Sequence, residues 1–330
     1  MKVVMYDTPS ASKYWRLVDP AKYLNLTNRF EVVVADAITE ESILWGDIFV
    51  LHNCIDKEGI AMLRAYQHER GKKIVVDLDD YLVLDDSNPN KKLHDITNAS
   101  EIIKITIGIA DVVTTTNKYL AGLIKKEFGA KRVEVLPNYM DLERWDLPKL
   151  KNTSDKIRIG WLGSITHKKD LELIVEPLRR ICDEFPNVEV VTVGDMRTRT
   201  IFDGLPLDAR LGVPFDSYPA LLNGLRLDIG LAPLVDTTFN RAKSPIKFYE
   251  YSIAQVAGIY SPTVYQHKGF EPNYGMVAYE PNQWYQGIKT LIEHPDYRAD
   301  MASNAYRWVK QKKDLKKHIK EWETVYFDLK

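Results

Sequence analysis

The sequence predicts an α/β fold of two Rossmann-like domains, each a doubly wound parallel sheet. Three observations carry this. Short apolar runs alternate with helical patterns along both halves of the chain, as parallel strands joined by crossover helices require. Leu147 to Lys156, LPKLKNTSDK, has no periodicity and reads as a linker between the halves. Residues 228–262 read as a buried strand, a polar loop and a helix start, the kind of corner at which such sheets bind ligands.

In the first half, strands are expected at Lys2 to Tyr6, Glu31 to Ala35, Asp47 to His52, Lys73 to Asp77, Asp111 to Thr115 and Val133 to Leu136. Helical patterns fill the gaps: Ser12 to Leu26, Asp56 to Arg70, Ser100 to Ala110 and Lys118 to Phe128. The last has Asn117 as N-cap and Gly129 as its stop. Ligands of such sheets bind outside the carboxyl ends of the strands. The cleft-facing loops are therefore Asp7 to Arg16, His52-Asn53, Asp77 to Asp86 and Thr114 to Asn117. Val76-Asp77-Leu78-Asp79-Asp80 closes a strand there; one carboxylate, Asp79, is the candidate to hydrogen-bond an acceptor or sugar hydroxyl, or else it caps the next segment. Asp85, Asp86 and Asn88-Pro89-Asn90 read as a solvated loop.

The second half opens with a strand at Ile157 to Leu162 and the loop Gly163-Ser164-Ile165-Thr166-His167-Lys168-Lys169. A helix from Asp170 carries Leu171, Ile174, Val175, Leu178 and Ile181 on one face, with a kink or break expected at Pro177. Val188 to Val193 is a strand, Asp203 to Pro214 a polar punctuated stretch, and Tyr218 to Leu225 a short helix. Asp228 to Pro233 is a buried strand, and Leu234 to Lys243 a polar loop with Asn240, Arg241 and Lys243. Ser244 as N-cap and Pro245 at the first helical position then open a helix that should run to about Ala257 and stop at Gly258. A strand at Gly258 to Ser261 and an irregular loop with Tyr265, His267 and Gly269 follow. Met276 to Tyr279 is the last strand; Asn282 to Glu293, Asp296 to Val309 and Asp314 to Phe327 are helical. The domain bounds are 1–150, 151–305 and a terminal helical segment, 306–330.

A helix N-terminus after a strand offers free N–H groups and partial positive charge to an anion. Lys243, Ser244, Ile246 and Lys247 sit at one such corner, and Gly163, Ser164, His167 and Lys169 at another. Two corners with cations suit a diphosphate. Glu250, three residues after Lys247, suits a ribose diol; its alternative is a plain pair with Lys247.

These stretches resemble the donor site of GT-B glycosyltransferases, in particular the large retaining family 4, whose two domains face one another across a cleft. The likeness rests on a variant wording, Gly163-Ser164-x-Thr166-His167-x-Lys169-Asp170-Leu171 and Phe239-Asn240-Arg241-x-Lys243-Ser244-x-x-Lys247-x-x-Glu250-Tyr251. Glu250 matches the ribose-binding second Glu of the family's Glu-x7-Glu motif, while Ala242 stands where the family has the first. Lys169 matches the diphosphate Lys, and Ser164 stands in place of an Arg. Val213, Pro214 and Phe215 fall where the base is bound through backbone groups. Ala110 to Trp145, with Pro137-Asn138-Tyr139-Met140-Asp141, resembles the end of the family's first domain. The family often has a first-domain His near the transferred sugar; His94 is the candidate here.

The resemblance implies transfer of a sugar from a nucleoside-diphosphate sugar, a UDP-sugar foremost, to an acceptor hydroxyl. It implies retention of configuration, no cofactor, no active-site metal, and a terminal helix, in 306–330, that crosses back to the first domain. Lys169, Lys243, Arg241, Asp79 and His94 are the catalytic candidates; Asn240 and the corner residues above hold the donor. The acceptor would be a glycan, a lipid-linked glycan or, as a minority option, a modified DNA base. A sugar-nucleotide epimerase or a non-catalytic nucleotide-sugar binder are the rivals.

Composition sets the bounds. The chain has 330 residues, 45% of them hydrophobic, enough for two cores. Its 45 basic and 46 acidic residues balance, which gives no general affinity for nucleic acid. Cys54 and Cys182 form no Cys-x-x-Cys pattern and read as reduced core residues. No run reaches transmembrane length and the start lacks a long apolar signal region, so a cytoplasmic protein is expected. No Ser-His-Asp or His-Glu-x-x-His pattern is present, so a hydrolase reading gains nothing.

Overall fold

The computed structural model describes residues 1–7, 12–84, 91–265 and 272–329, without the side chains of Asp7, Leu93, His94 and Pro272. Asp85, Asp86, Asn88-Pro89-Asn90, His267 and Gly269, named above, lie outside the described residues. The chain forms two compact units: Met1–Asp141 with Ala242–Ser244 and Asp314–Lys330, and Leu142–Arg241 with Pro245–Lys313.

The first unit is a six-stranded parallel sheet of β1 (Lys2–Asp7), β2 (Glu31–Ala35), β3 (Ile48–His52), β4 (Lys73–Leu78), β5 (Val112–Thr115) and β6 (Val133–Val135), in the order β2-β1-β3-β4-β5-β6. Central strands covered on both faces are apolar throughout; all of β3 is buried. The expected strand bounds hold to within a residue or two, as do helices Lys57–Arg70, Ala99–Ile109 and Lys118–Phe128. Asn117 caps the last by accepting from the Leu120 N–H at 2.9 Å, and Gly129 ends it in the left-handed region at φ 69°. The expected helix after β1 is divided: a π-helical turn, Tyr14–Val18, leads into an α-helix, Asp19–Leu26.

The terminal helix Leu315–Phe327 belongs to this unit's core. Leu315, Ile319, Trp322, Val325 and Tyr326 pack with Val3, Met5, Leu17, Leu24 and Val50. Each such burial contributes roughly 1.5–3 kcal/mol, so the helix is a structural member of the unit. The Pro-Asn-x-x-Asp stretch is tied in the same way. Asn138 Oδ1 accepts from Arg16 at 3.0 Å, and buried Asp141 accepts from Tyr23 at 2.7 Å and Lys22 at 2.8 Å.

The second unit is another six-stranded parallel sheet: β7 (Ile157–Gly163), β8 (Val188–Gly194), β9 (Leu207–Leu211), β10 (Ile229–Ala232), β11 (Ala257–Tyr260) and β12 (Met276–Val277), ordered β12-β11-β10-β7-β8-β9. Edge strand β9 lies in the stretch read as polar and punctuated, where no strand was expected. Its Asp208 accepts from both Arg210 and Arg158, so the apolar signal of a strand is missing. Of the kink or break expected at Pro177, the break does not occur: helix Lys168–Glu184 runs through it uninterrupted. The reason is the buried stripe Leu171, Ile174, Leu178 and Ile181, which anchors the helix on both sides of the proline against Trp284, Ile288 and Leu291.

The helix after β10 departs most from the expectation. It spans Ile246–Ile253, with Pro245 at its N-cap position and no side-chain cap, so Ser244 lies outside it. It stops short of Gly258, through Gln255 at φ 53°. Gly258 serves β11 instead: a Cβ there would lie 1.9 Å from the Tyr260 hydroxyl.

Strand order locates the switch points, where neighbouring crossovers run to opposite faces and leave a crevice. They fall between β1 and β3 in the first unit and between β7 and β10 in the second.

Candidate functional site

At the second unit's switch point, one carboxylate ties the two loops together. Asp170 is buried, although it stands in the first turn of a helix, where an acidic residue is normally solvated. Its Oδ2 lies 2.7 Å from His167 Nδ1 in the loop after β7. Its Oδ1 accepts from the Val235 N–H at 2.8 Å, in the loop after β10, and from Asn240 Nδ2 at 3.0 Å, on the short helix Thr238–Arg241 that interrupts the expected polar loop. Asn240 Nδ2 also donates to the Val235 carbonyl at 3.0 Å, so its amide braces this loop. Sequence reading placed His167 and Asn240 at the ligand and read Asp170 only as a helix start. The signal was its place between them in the wording His-x-Lys-Asp-Leu.

Gly163 and Gly194 end the paired strands β7 and β8. A Cβ on Gly194, at φ 135°, would lie 1.8 Å from the Gly163 carbonyl oxygen, so only glycine permits this close approach of the loops. Ser164 is exposed and hydrogen-bonds Thr166 at 2.5 Å. Lys169 is exposed, with its ammonium free of any partner among the described residues.

A second cluster surrounds Glu250, which is 4% exposed. Oε2 accepts from Lys247 Nζ at 2.6 Å and from the Tyr218 hydroxyl at 3.0 Å. Lys247 Nζ also donates to the Tyr218 hydroxyl at 3.1 Å. Burial and the adjacent carboxylate push the Tyr218 phenol well above its ordinary range, so it stays protonated and donates. Glu250 Oε1 has no hydrogen-bond partner among the described residues. The pair with Lys247 therefore forms while one carboxylate oxygen keeps its acceptor capacity.

The remaining candidates divide. Arg241 is exposed and held by Asp236 through two hydrogen bonds of 2.5 Å. Val213 and Pro214 are exposed ahead of the turn Phe215–Ser217. Ile246, half-buried, begins its helix in the second unit. Ala242 to Ser244 belong to the first unit, where Lys243 Nζ lies 3.6 Å from Asp80 and the Ala242 carbonyl accepts from Asn117 Nδ2 at 2.7 Å. His94 lies on helix Lys91–Ile96, and its side chain is outside the described residues.

The first unit's switch point holds a polar network that the sequence did not reveal. Arg16, fully buried, grips Asp77 with Nε to Oδ2 at 2.9 Å and Nη2 to Oδ1 at 2.6 Å. Thr114 donates to Asp77 Oδ1 at 2.6 Å, and His52 Nδ1 lies 2.9 Å from Oδ2. Burial pushes the Asp77 carboxyl up, but the Arg16 charge and the Arg16 and His52 hydrogen bonds outweigh it and hold it well below the carboxylate range. Ser12 Oγ stands 3.0 Å from His52 Nε2, so Ser12, His52 and Asp77 do line up. The imidazole has no exposure, and the same carboxylate is spent on Arg16, which suits a fixed support rather than a nucleophile. Asn53, left-handed at φ 45°, directs Nδ2 to Asp79 Oδ1 at 2.7 Å and lies 3.2 Å from His52 Nε2.

Among the described residues, no group of three or more His, Cys, Asp or Glu is arranged to hold a metal ion. No helix among them is long and apolar enough to cross a membrane.

No family model matches the sequence. No curated protein matches it either. Solved structures do match. An alpha-glucosyltransferase in complex with UDP superimposes with a TM-score of 0.71 at 12% identity, over 98% of this chain and 99% of that one. A sucrose-phosphate synthase from Thermosynechococcus elongatus gives 0.69 at 10% identity, over 99% and 98%. Anabaena HepE in complex with UDP-glucose gives 0.67 at 15% identity, over 99% of each chain. Identities this low speak for fold, and with two parallel six-stranded sheets flanked by helices the chain has the α/β GT-B fold.

Proposed function

We propose that the chain is a retaining, metal-independent glycosyltransferase of the family 4 type, which takes a sugar from a nucleoside-diphosphate sugar, a UDP-sugar foremost, to a hydroxyl of a glycan or lipid-linked glycan. The observation that carries the reading is Glu250, a buried carboxylate with one oxygen held by Lys247 and Tyr218 and the other available to a ribose hydroxyl. Fold neighbours captured with UDP and UDP-glucose support a uridine nucleotide.

In this reading the second unit holds the donor. Gly163, Ser164 and Lys169 meet the diphosphate, Val213 and Pro214 meet the base, and Glu250 meets the ribose. Asp170 keeps both loops in place. As the anomeric C–O bond breaks, its electron pair leaves on the diphosphate, whose charge Lys169 stabilises. The acceptor oxygen bonds the anomeric carbon on the same face and its proton passes to the leaving diphosphate. No protein nucleophile is required.

Lys169→Ala is expected to lower turnover by about a hundredfold, the size of effect seen when one donor to a developing anion is removed. Steady-state release of nucleoside diphosphate checks this, and unchanged kinetics in the variant would refute the assignment. Acceptor dependence separates the rivals. A transferase releases nucleoside diphosphate fastest with acceptor present, an epimerase converts the sugar without one, and a binder does neither.

A further inference from the structure

We propose that Tyr218 is a positioning residue for Glu250: its hydroxyl fixes which carboxylate oxygen the protein holds and which is left for the ribose. The inference rests on the donor reading and adds a residue to it. Tyr218, Trp145, Phe215, Lys247 and Glu250 all lie in the second unit.

Lys247 does not set the carboxylate by itself. It stands three residues before Glu250 on the helix Ile246–Ile253, and its ammonium is a rotatable point charge on a flexible stem, able to serve either oxygen. Tyr218 comes from a different element, opening the helix Tyr218–Gly224, 32 residues from Glu250 in sequence. Its side chain turns about few bonds, and here the ring is packed. Buried Trp145 meets it edge-on, with 5.8 Å between centroids and 80° between planes, and Phe215 meets Trp145 at 5.8 Å and 74°. The hydroxyl therefore arrives from a fixed direction. It donates to Glu250 Oε2 at 3.0 Å and accepts from Lys247 Nζ at 3.1 Å, while Lys247 Nζ also reaches Oε2 at 2.6 Å. The three groups close a ring in which the ammonium polarises the phenol that donates to the carboxylate. Both donors converge on one oxygen, so Oε1 keeps its acceptor capacity for a hydroxyl of the diol. A carboxylate preset in this way need not be ordered when the nucleotide arrives, and the gain appears as affinity.

Tyr218→Phe removes the hydroxyl and keeps the ring against Trp145. Calorimetric titration of the full chain with UDP and with 2′,3′-dideoxy-UDP reads the effect, with the GDP and ADP pairs run beside them. The dideoxy nucleotide has no diol, so its affinity does not depend on how Glu250 is set. Wild type is expected to bind the ribonucleotide at least about tenfold tighter than its dideoxy form. Tyr218→Phe is expected to lose about tenfold on the ribonucleotide and less than about twofold on the dideoxy form. Tyr218→Phe in a Glu250→Ala background is expected to add nothing, since Tyr218 acts through Glu250. A loss shared equally by the two nucleotides would make Tyr218 a structural residue only and overturn the proposal. Ribonucleotide affinity within about twofold of wild type would overturn it too. The donor reading stands in either case if Glu250→Ala alone abolishes the preference for the diol. A wild type that binds none of these nucleotides, or binds both members of each pair equally, would overturn both.

Discussion

Arg16→Ala is expected to lower the unfolding free energy by about 3–5 kcal/mol, the range for removing one partner of a buried ion pair. The loss comes from what stays behind. Asp77 is 3% exposed, and without the guanidinium its charge keeps only Thr114 and His52. Leu136 O and Asn138 Oδ1 lose a donor as well. Chemical denaturation at pH 7 measures the effect, and a loss under about 1 kcal/mol would mean the pair is relaxed or hydrated. The pH arm follows from the sign of the shift. Asp77 is held below its unfolded value of about 3.9. Its contribution is therefore fully present above that value and is lost as pH falls toward the lower folded value. In Arg16→Ala the carboxyl loses the two largest causes that hold it down, so this acid limb should begin at higher pH than in the wild type.

Asp170→Ala is expected to cost about 3 kcal/mol of stability, since it orphans the Val235 N–H and one Asn240 N–H inside the second unit, each worth about 1–3 kcal/mol. It should also weaken donor binding at least tenfold. The loops after β7 and β10 would no longer be tied, and ordering them on binding subtracts from affinity. Calorimetric titration with a UDP-sugar checks this arm. A variant that loses stability but binds the nucleotide as tightly as wild type would confine Asp170 to folding.

The legibility of the chain follows the range of the interactions. Local signals read well. Asn117 and Gly129 bracket their helix as spacing requires, and strands such as β3 announce themselves by apolar runs. The Lys247–Glu250 pair is visible at i, i+3 spacing. Where tertiary packing overrides a local rule, the reading fails. Pro177 sits in an intact helix because the stripe around it is buried, and Gly258 is spent on a close approach in β11 while Gln255 ends the helix. The helix Glu40–Trp45 rests on a Thr39–Ser42 capping box, too short for a periodic pattern to register. The site is legible to the same degree. Motif wording pointed to the corners after β7 and β10, yet the residues that organise them are joined across long stretches of sequence. Asp170 meets Val235 and Asn240, and Arg16 meets Asp77, through bonds that no window of neighbours displays. Lys243 and Ser244, adjacent in sequence to the second unit's helix, pack with the first unit instead.

The measurement that tests the central claim most directly is a thermal-shift titration with UDP-, GDP-, ADP- and dTDP-sugars, with and without Mg²⁺, on the wild type and on Glu250→Ala. The account predicts a metal-independent shift with the UDP-sugar, worth about 2.7 kcal/mol at a hundredfold excess over Kd. It predicts that Glu250→Ala needs at least tenfold more nucleotide to reach the same shift. No shift with any sugar nucleotide, or the same titration curve for both proteins, would contradict it.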